Sequence, residues 1–378
     1  MIIYVIITIF YLVCMIIEST LKMKSKKLNP NYWIFLLMAP LFILVAFRDP
    51  SVGNDTLNYF WAFSNIAQEN MFASSDSRFE IGYIFLVRLL SNLGFDYFGF
   101  QVVTTFFIYF AFGSFIRRYS INYSLSIFIF LTMNMFFDTM NITRSYLALS
   151  ILLLSVKFIE EKKPIKFLLL VGVATLFHTS AIIFLLLYPL SKVQWSYKKF
   201  IQIIIMGAAA GLLFDKVVNI FVNLTGKYSS YLDGKYFTFE NNIAIYVGLS
   251  INLVFLLLGI LVRNYWPKTD NSNLIKVDSK KVNCNNQNIK SNIWFSAIVI
   301  SFVISVAGLN STIMSRVEMY FSVLYIVFIP DILSQIRNYN IKILVVIFII
   351  ILLLLYFFIL MIYRPNWFGV IPYNWFSF

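Results

Sequence analysis

Long apolar runs separated by short polar breaks make up most of the chain. They fall at about 2–19, 33–47, 98–116, 121–137, 144–159, 199–215, 243–262, 292–309, 314–330 and 343–362. A helix needs about 20 apolar residues to cross the hydrocarbon core, so each run predicts a transmembrane helix. Two stretches fit less simply. Residues 81–95 (IGYIFLVRLLSNLGF) are short and carry Arg88, which predicts an amphipathic helix lying at the membrane surface. Residues 165–190 begin and end beside lysines, so they must leave and return on one side. They are too short for two crossings and predict a hairpin of two half-length helices, each of about 12 residues and about 18 Å. Its tip reads FHTS and holds His178, the only histidine in the chain.

Composition supports this picture and excludes others. Only 12% of the 378 residues are charged, against about 25% in soluble domains. The first segment has no basic leader region or small-residue cleavage site, so it is expected to be a retained span. Two distant cysteines, Cys14 and Cys284, give neither a disulfide framework nor metal-ligand spacing. One histidine and two such cysteines cannot build a zinc site. The net charge of +13 reads as cytoplasmic loop lysines and not as a nucleic-acid surface. No internal repeat is visible, so residues 1–378 are expected to form one integral membrane domain.

Charge also orients the chain. Basic clusters at 22–27, 117–118, 157–166, 192–199 and 263–290 should all face the cytoplasm. Both termini then lie outside. Residues 48–95 form an outer-face loop with amphipathic helices, and 264–290 a flexible cytoplasmic loop. The fold class expected is an all-α polytopic membrane protein of about ten full spans plus the short hairpin.

This topology gathers unusual residues on the outer side, where few basic groups are expected: Arg48, Arg88, Arg144, Arg316 and Arg364, with Asp55, Glu80 and His178. Ionisable groups in spans are costly and mark function by default. Arginine presents a planar fork that suits phosphate oxygens, so the cluster fits a lipid-anchored diphosphate. Each residue also has a plainer reading. Arg144 and Arg316 sit near helix ends and could snorkel; Arg88 could be solvated surface. Asp49 before Pro50 reads as turn chemistry. Asp55 and Glu80 could each act as a base or form an ion pair or cap. Gly53 and Asp55 predict a turn into a short helix, with Leu57, Phe60 and Trp61 at helical spacing. His178 could be a base, a phosphate ligand or a satisfied interior histidine.

Six stretches together carry a resemblance: FRDPSVGNDTLNY (47–59), FEIGYIFL (79–86), MNITRSYLALS (140–150), LFHTSAIIFL (176–185), SRVEMYF (315–321) and IPYNWF (371–376). In order and spacing the chain resembles the EpsG family of polysaccharide polymerases, a Wzy-type group. The region 190–310 adds nothing specific. Two departures are Asn54, where the family commonly has Thr or Ser, and Ser145, where Gln often follows the arginine. The resemblance implies a metal-independent, cofactor-free glycosyltransferase of GT-C-like character in a bacterial cytoplasmic membrane. Such an enzyme joins oligosaccharide repeat units carried on undecaprenyl diphosphate at the outer face, for O-antigen, capsule or exopolysaccharide. It would work beside a flippase and a chain-length regulator of its pathway. Arg48, Arg144 and Arg316 lie in matched stretches and become the expected diphosphate ligands. Asp55, Glu80 and His178 become the expected catalytic groups, and Arg88, Arg364, Tyr59 and Asn141 supporting residues.

Rival readings remain. A polysaccharide ligase would use similar arginines and the same carrier. A lipid-linked oligosaccharide flippase or transporter would line its path with charge through the membrane depth, or break helices at the midplane. An O-acyltransferase would centre on the membrane histidine.

Overall fold

The computed structural model describes residues 1–378 apart from 25–27, 70–78, 197, 208, 210–242, 265–277, 309–311, 364–365 and 378. The described residues are helical, with no strand beyond a one-residue bridge at Arg48 and Trp375. They fall into two units, Met1–Ile182 with Asn338–Phe378, and Ile183–Arg337.

The first unit begins with α1 (Ile2–Met23) and α2 (Pro30–Ala46). Asn29 caps α2 through the Asn31 amide at 3.0 Å, and Pro30 fills the first turn, where its missing N–H costs nothing. Two short helices follow, α3 (Thr56–Ala67) and α4 (Ile81–Asn92), then α5 (Tyr97–Tyr119). The apolar run at 121–137 is not one straight helix. Asn134 adopts the left-handed region (φ 62°), and α6 (Tyr123–Thr132) and α7 (Met135–Asn141) meet at a 58° bend. Asparagine tolerates that conformation better than its apolar neighbours would. A second break at Ile142 starts α8 (Thr143–Glu160), and α9 (Pro164–Thr175) packs back on α8. α5 lies against α2 and α8, α1 against α6, and α3 against α4. Every residue of α6 from Ser124 to Thr132 is buried.

After His178 the chain runs as a 3₁₀ helix, Thr179–Leu186, and the single turn α10 (Leu187–Leu190). The two half-length helices expected at 165–190 are therefore one α-helix and one tighter 3₁₀ segment. In the second unit, α11 (Ile243–Asn264), α12 (Asp278–Ala307), α13 (Thr312–Ser322) and α14 (Tyr325–Gln335) pack together. α15 (Tyr339–Tyr363) returns to the first unit.

Among the described residues, five helical segments are long and apolar enough to cross a membrane: α1, α5, Ile289–Ala307, Arg316–Gln335 and α15. The bent α6–α7 pair makes a sixth if counted as one span. α2, α9 and much of α11 are apolar but shorter. The run expected at 199–215 passes out of the described residues at 210. The chain is a multi-pass, all-helical membrane protein.

Candidate functional site

The first unit brings Glu80, Arg144 and His178 into direct contact. Glu80 precedes α4, Arg144 lies in the first turn of α8, and His178 follows α9. The Glu80 carboxylate divides its oxygens between them. Oε2 accepts from Nη1 of Arg144, and Oε1 lies 2.9 Å from Nδ1 of His178 and 3.4 Å from the Thr179 amide. All three side chains sit at the rim of the protein, 17–22% exposed. They are partly desolvated, which strengthens their interactions.

Backbone packing makes the contact possible. The Gly82 amide donates to the Leu176 carbonyl at 2.8 Å. A Cβ on Gly82 would lie 2.6 Å from that oxygen, so the first turn of α4 can meet the end of α9 only without a side chain there. Glu80 is two residues before Gly82, and His178 two after Leu176.

Aromatic groups orient Arg144. Its guanidinium lies over the Phe79 ring at 4.6 Å, a favourable cation–π geometry. Tyr59, buried on α3, hydrogen-bonds it. The rings of Phe79, Tyr59 and Tyr83 pack on one another at 5.3–6.3 Å. Burial alone would raise the Glu80 pKa; the His178 hydrogen bond and the Arg144 charge outweigh it and hold Glu80 at about 2. Glu80 is thus a permanently ionised orienting group and a weak base. His178 meets Glu80 through Nδ1; Nε2 is the ring nitrogen that a proton-transfer role would use.

The other expected residues take different places. Arg48 is 2% exposed; its two terminal nitrogens donate to the carbonyls of Val45 and Met140, and its buried Nε has no hydrogen-bond partner among the described residues. Through these bonds the guanidinium caps α2 and ties it to α7. Arg88 is also buried, paired with Glu69, so it is not solvated surface. Asn141 is a structural hub. Its Oδ1 accepts from the Asn54 amide at 2.6 Å, and its Nδ2 donates to the carbonyls of Phe137 and Phe368 at 2.9 and 3.0 Å. Asp55 begins α3 as expected, with Gly53 in a positive-φ turn (φ 101°), but its side chain makes no cap. Asp49 makes the turn it was expected to make, accepting from Ser51 N at 2.9 Å. Arg316 is exposed on α13 of the second unit, and Arg364 lies outside the described residues.

Sequence reasoning gave no individual role to Phe79 or Gly82 and did not foresee what the segment after α15 packs against. That segment pairs with the outer loop through Asp49 N to Asn374 O at 3.0 Å and Phe376 N to Phe47 O at 2.9 Å. Asn54 Nδ2 donates to Trp367 O at 2.6 Å, and Tyr4 and Tyr373 hydroxyls donate to Val370 O and Leu44 O. The matched stretches 47–59 and 371–376 were visible as motifs; their mutual contact was not. Among the described residues no cluster of histidine, cysteine and carboxylate groups could hold a metal.

A family model described as the EpsG family matches residues 31–375. No curated protein and no solved structure matches the chain.

Proposed function

The chain belongs to the EpsG family of Wzy-type polysaccharide polymerase-like proteins, and from that premise we propose that it joins undecaprenyl-diphosphate-linked oligosaccharide repeat units at the outer face of the bacterial cytoplasmic membrane. The Glu80–Arg144–His178 cluster carries the reading. It places a fixed cation and an oriented imidazole together at the protein rim, beside apolar helices suited to a lipid carrier. The polymer is an O-antigen, capsule or exopolysaccharide, and a flippase and chain-length regulator serve the same pathway.

The step balances without a metal or cofactor. A hydroxyl of the acceptor unit's non-reducing sugar attacks the anomeric carbon of the donor chain. Its proton passes to His178 Nε2, the new C–O bond forms, and the old C–O bond breaks with its electron pair leaving on undecaprenyl diphosphate. Arg144, fixed by Phe79 and Tyr59, stabilises the charge on that leaving group. Glu80 holds the His178 ring and stabilises its protonated form. Asp55 is the alternative base. Arg316, exposed on α13, is a separate candidate for phosphate contact.

Polymer laddering in cells making the repeat unit tests this at matched protein level. His178→Ala and Arg144→Lys should leave single-unit products, since lysine replaces the fork with a point charge. Arg316→Ala and Asp55→Asn decide those two candidates. Long polymer retained on the carrier would point to a ligase instead. Normal ladders from both His178→Ala and Arg144→Lys would end the assignment.

A further inference from the structure

We propose that Glu80 is the resident anion of Arg144 and yields that place to the diphosphate of the donor, so that donor binding switches Glu80 wholly onto His178. The inference rests on the reading that Arg144 meets a lipid-linked diphosphate.

Arg144 is well placed for an anion. It sits in the first turn of α8, where unpaired amides and the helix dipole favour negative charge. Yet the guanidinium is only partly used. Nη1 meets a single oxygen of Glu80, Tyr59 takes one further hydrogen bond, and Nε has no hydrogen-bond partner among the described residues. The second Glu80 oxygen is drawn away to His178 Nδ1 at 2.9 Å and the Thr179 amide. One carboxylate bridging two elements cannot give Arg144 the two parallel bonds that a guanidinium fork accepts. A diphosphate has more oxygens and more charge, and could engage several of these donors at once. The 20% exposure of Arg144 leaves a side from which it could arrive.

Displacement has a consequence for the base. With Arg144 bound to phosphate, the full charge of Glu80 acts on His178. Glu80 then holds the His178 ring alone, and does so only when a donor is present. Glu80 is therefore a positioning residue whose partner changes on binding, and the donor should bind before the acceptor is activated.

The test uses the full-length protein in nanodiscs, with geranyl diphosphate as probe and inorganic pyrophosphate and geranyl monophosphate as comparison arms. In Glu80→Gln the competing charge is gone, so geranyl diphosphate should bind about tenfold tighter than to wild type, while turnover falls. Glu80→Asp, one methylene shorter, cannot span both partners and should also bind tighter. Pyrophosphate should show the same ratios, since the headgroup is what competes; the monophosphate should show smaller ones. Unchanged or weaker diphosphate binding in both folded variants would overturn the inference. Arg144→Gln separates the underlying reading: it should abolish binding in the wild-type and Glu80→Gln backgrounds alike. Binding equal to wild type in Arg144→Gln would remove the diphosphate reading itself.

Discussion

Glu80 Oε1 and His178 Nδ1 lie 2.9 Å apart although 98 residues separate them in the chain. This bond joins the end of α9 to the start of α4. It gives the only histidine in the chain a fixed ring orientation through Nδ1.

If the pair acts as a unit, its losses should not add. His178→Ala should reduce polymerisation by about 10²–10⁴-fold, the usual contribution of a general base. Glu80→Gln should cost less, and the double variant no more than His178→Ala alone. Initial rates on purified protein with defined lipid-linked repeat units measure the cycle. Additive losses would mean that Glu80 acts independently of the ring.

Much of this site was readable beforehand because it is built from rare residues. Arg144, Glu80 and His178 stand out in a chain that is 12% charged, and a burial cost attaches to each. Their pairing was not readable, since nothing local links Glu80 to a histidine 98 residues on. The partners of Arg48 were hidden for a related reason. A residue ending a span can point outward to a ligand or back to the helix's free carbonyls, and the deciding partner, Met140, is 92 residues away. The α6–α7 bend turns on one backbone angle at Asn134, hidden in an apolar run.

Acid should weaken the same clamp in a defined window. Glu80 is depressed from its ordinary 4.5 to about 2. A depressed carboxylate contributes stability that is fully present above the unfolded pKa and is lost as pH falls through the folded one. The contribution is on the order of 3 kcal/mol for a shift of that size. The melting-temperature difference between wild type and Glu80→Gln should carry this contribution in full above about 4.5. It should begin to shrink below 4.5 and close only near 2. A gap that closes between pH 6 and 5 would show that another group controls it.

Glu18 offers a prediction away from the chemistry. Its carboxylate is fully buried at the start of α6. It accepts from Ser124 N at 2.8 Å, Ser124 Oγ at 2.6 Å, Trp33 Nε1 at 3.1 Å, Tyr123 N at 3.1 Å and Lys22 Nζ at 2.6 Å. The charge neutralises the positive end of the α6 dipole and ties α1, α2 and α6 together. Glu18→Ala leaves several buried donors without acceptors and should cost about 3 kcal/mol or more. Thermal unfolding in detergent should register the loss. Activity per folded molecule should stay at the wild-type level, which separates this carboxylate from Glu80.

Gly82 tests whether site geometry depends on the approach of α4 to α9. A methyl group there would meet backbone, Leu176 O at 2.6 Å and Leu176 C at 2.8 Å, and backbone on either side cannot rotate away. Gly82→Ala must therefore part the two segments and stretch the 2.8 Å bond from Gly82 N to Leu176 O. Overpacking of this kind costs about 1–3 kcal/mol. The larger effect should fall on catalysis, because Glu80 and His178 flank the point of contact. A misplacement of about 1 Å can cost on the order of 10²-fold in rate. The control is Gly172→Ala in α9, where a Cβ meets nothing within 4 Å. Removing that helical glycine should leave activity unchanged and raise stability by about 0.5–1 kcal/mol. Rates and melting temperatures of the two variants decide the matter. Wild-type turnover in Gly82→Ala would mean that the Glu80–His178 bond is not what the reaction requires.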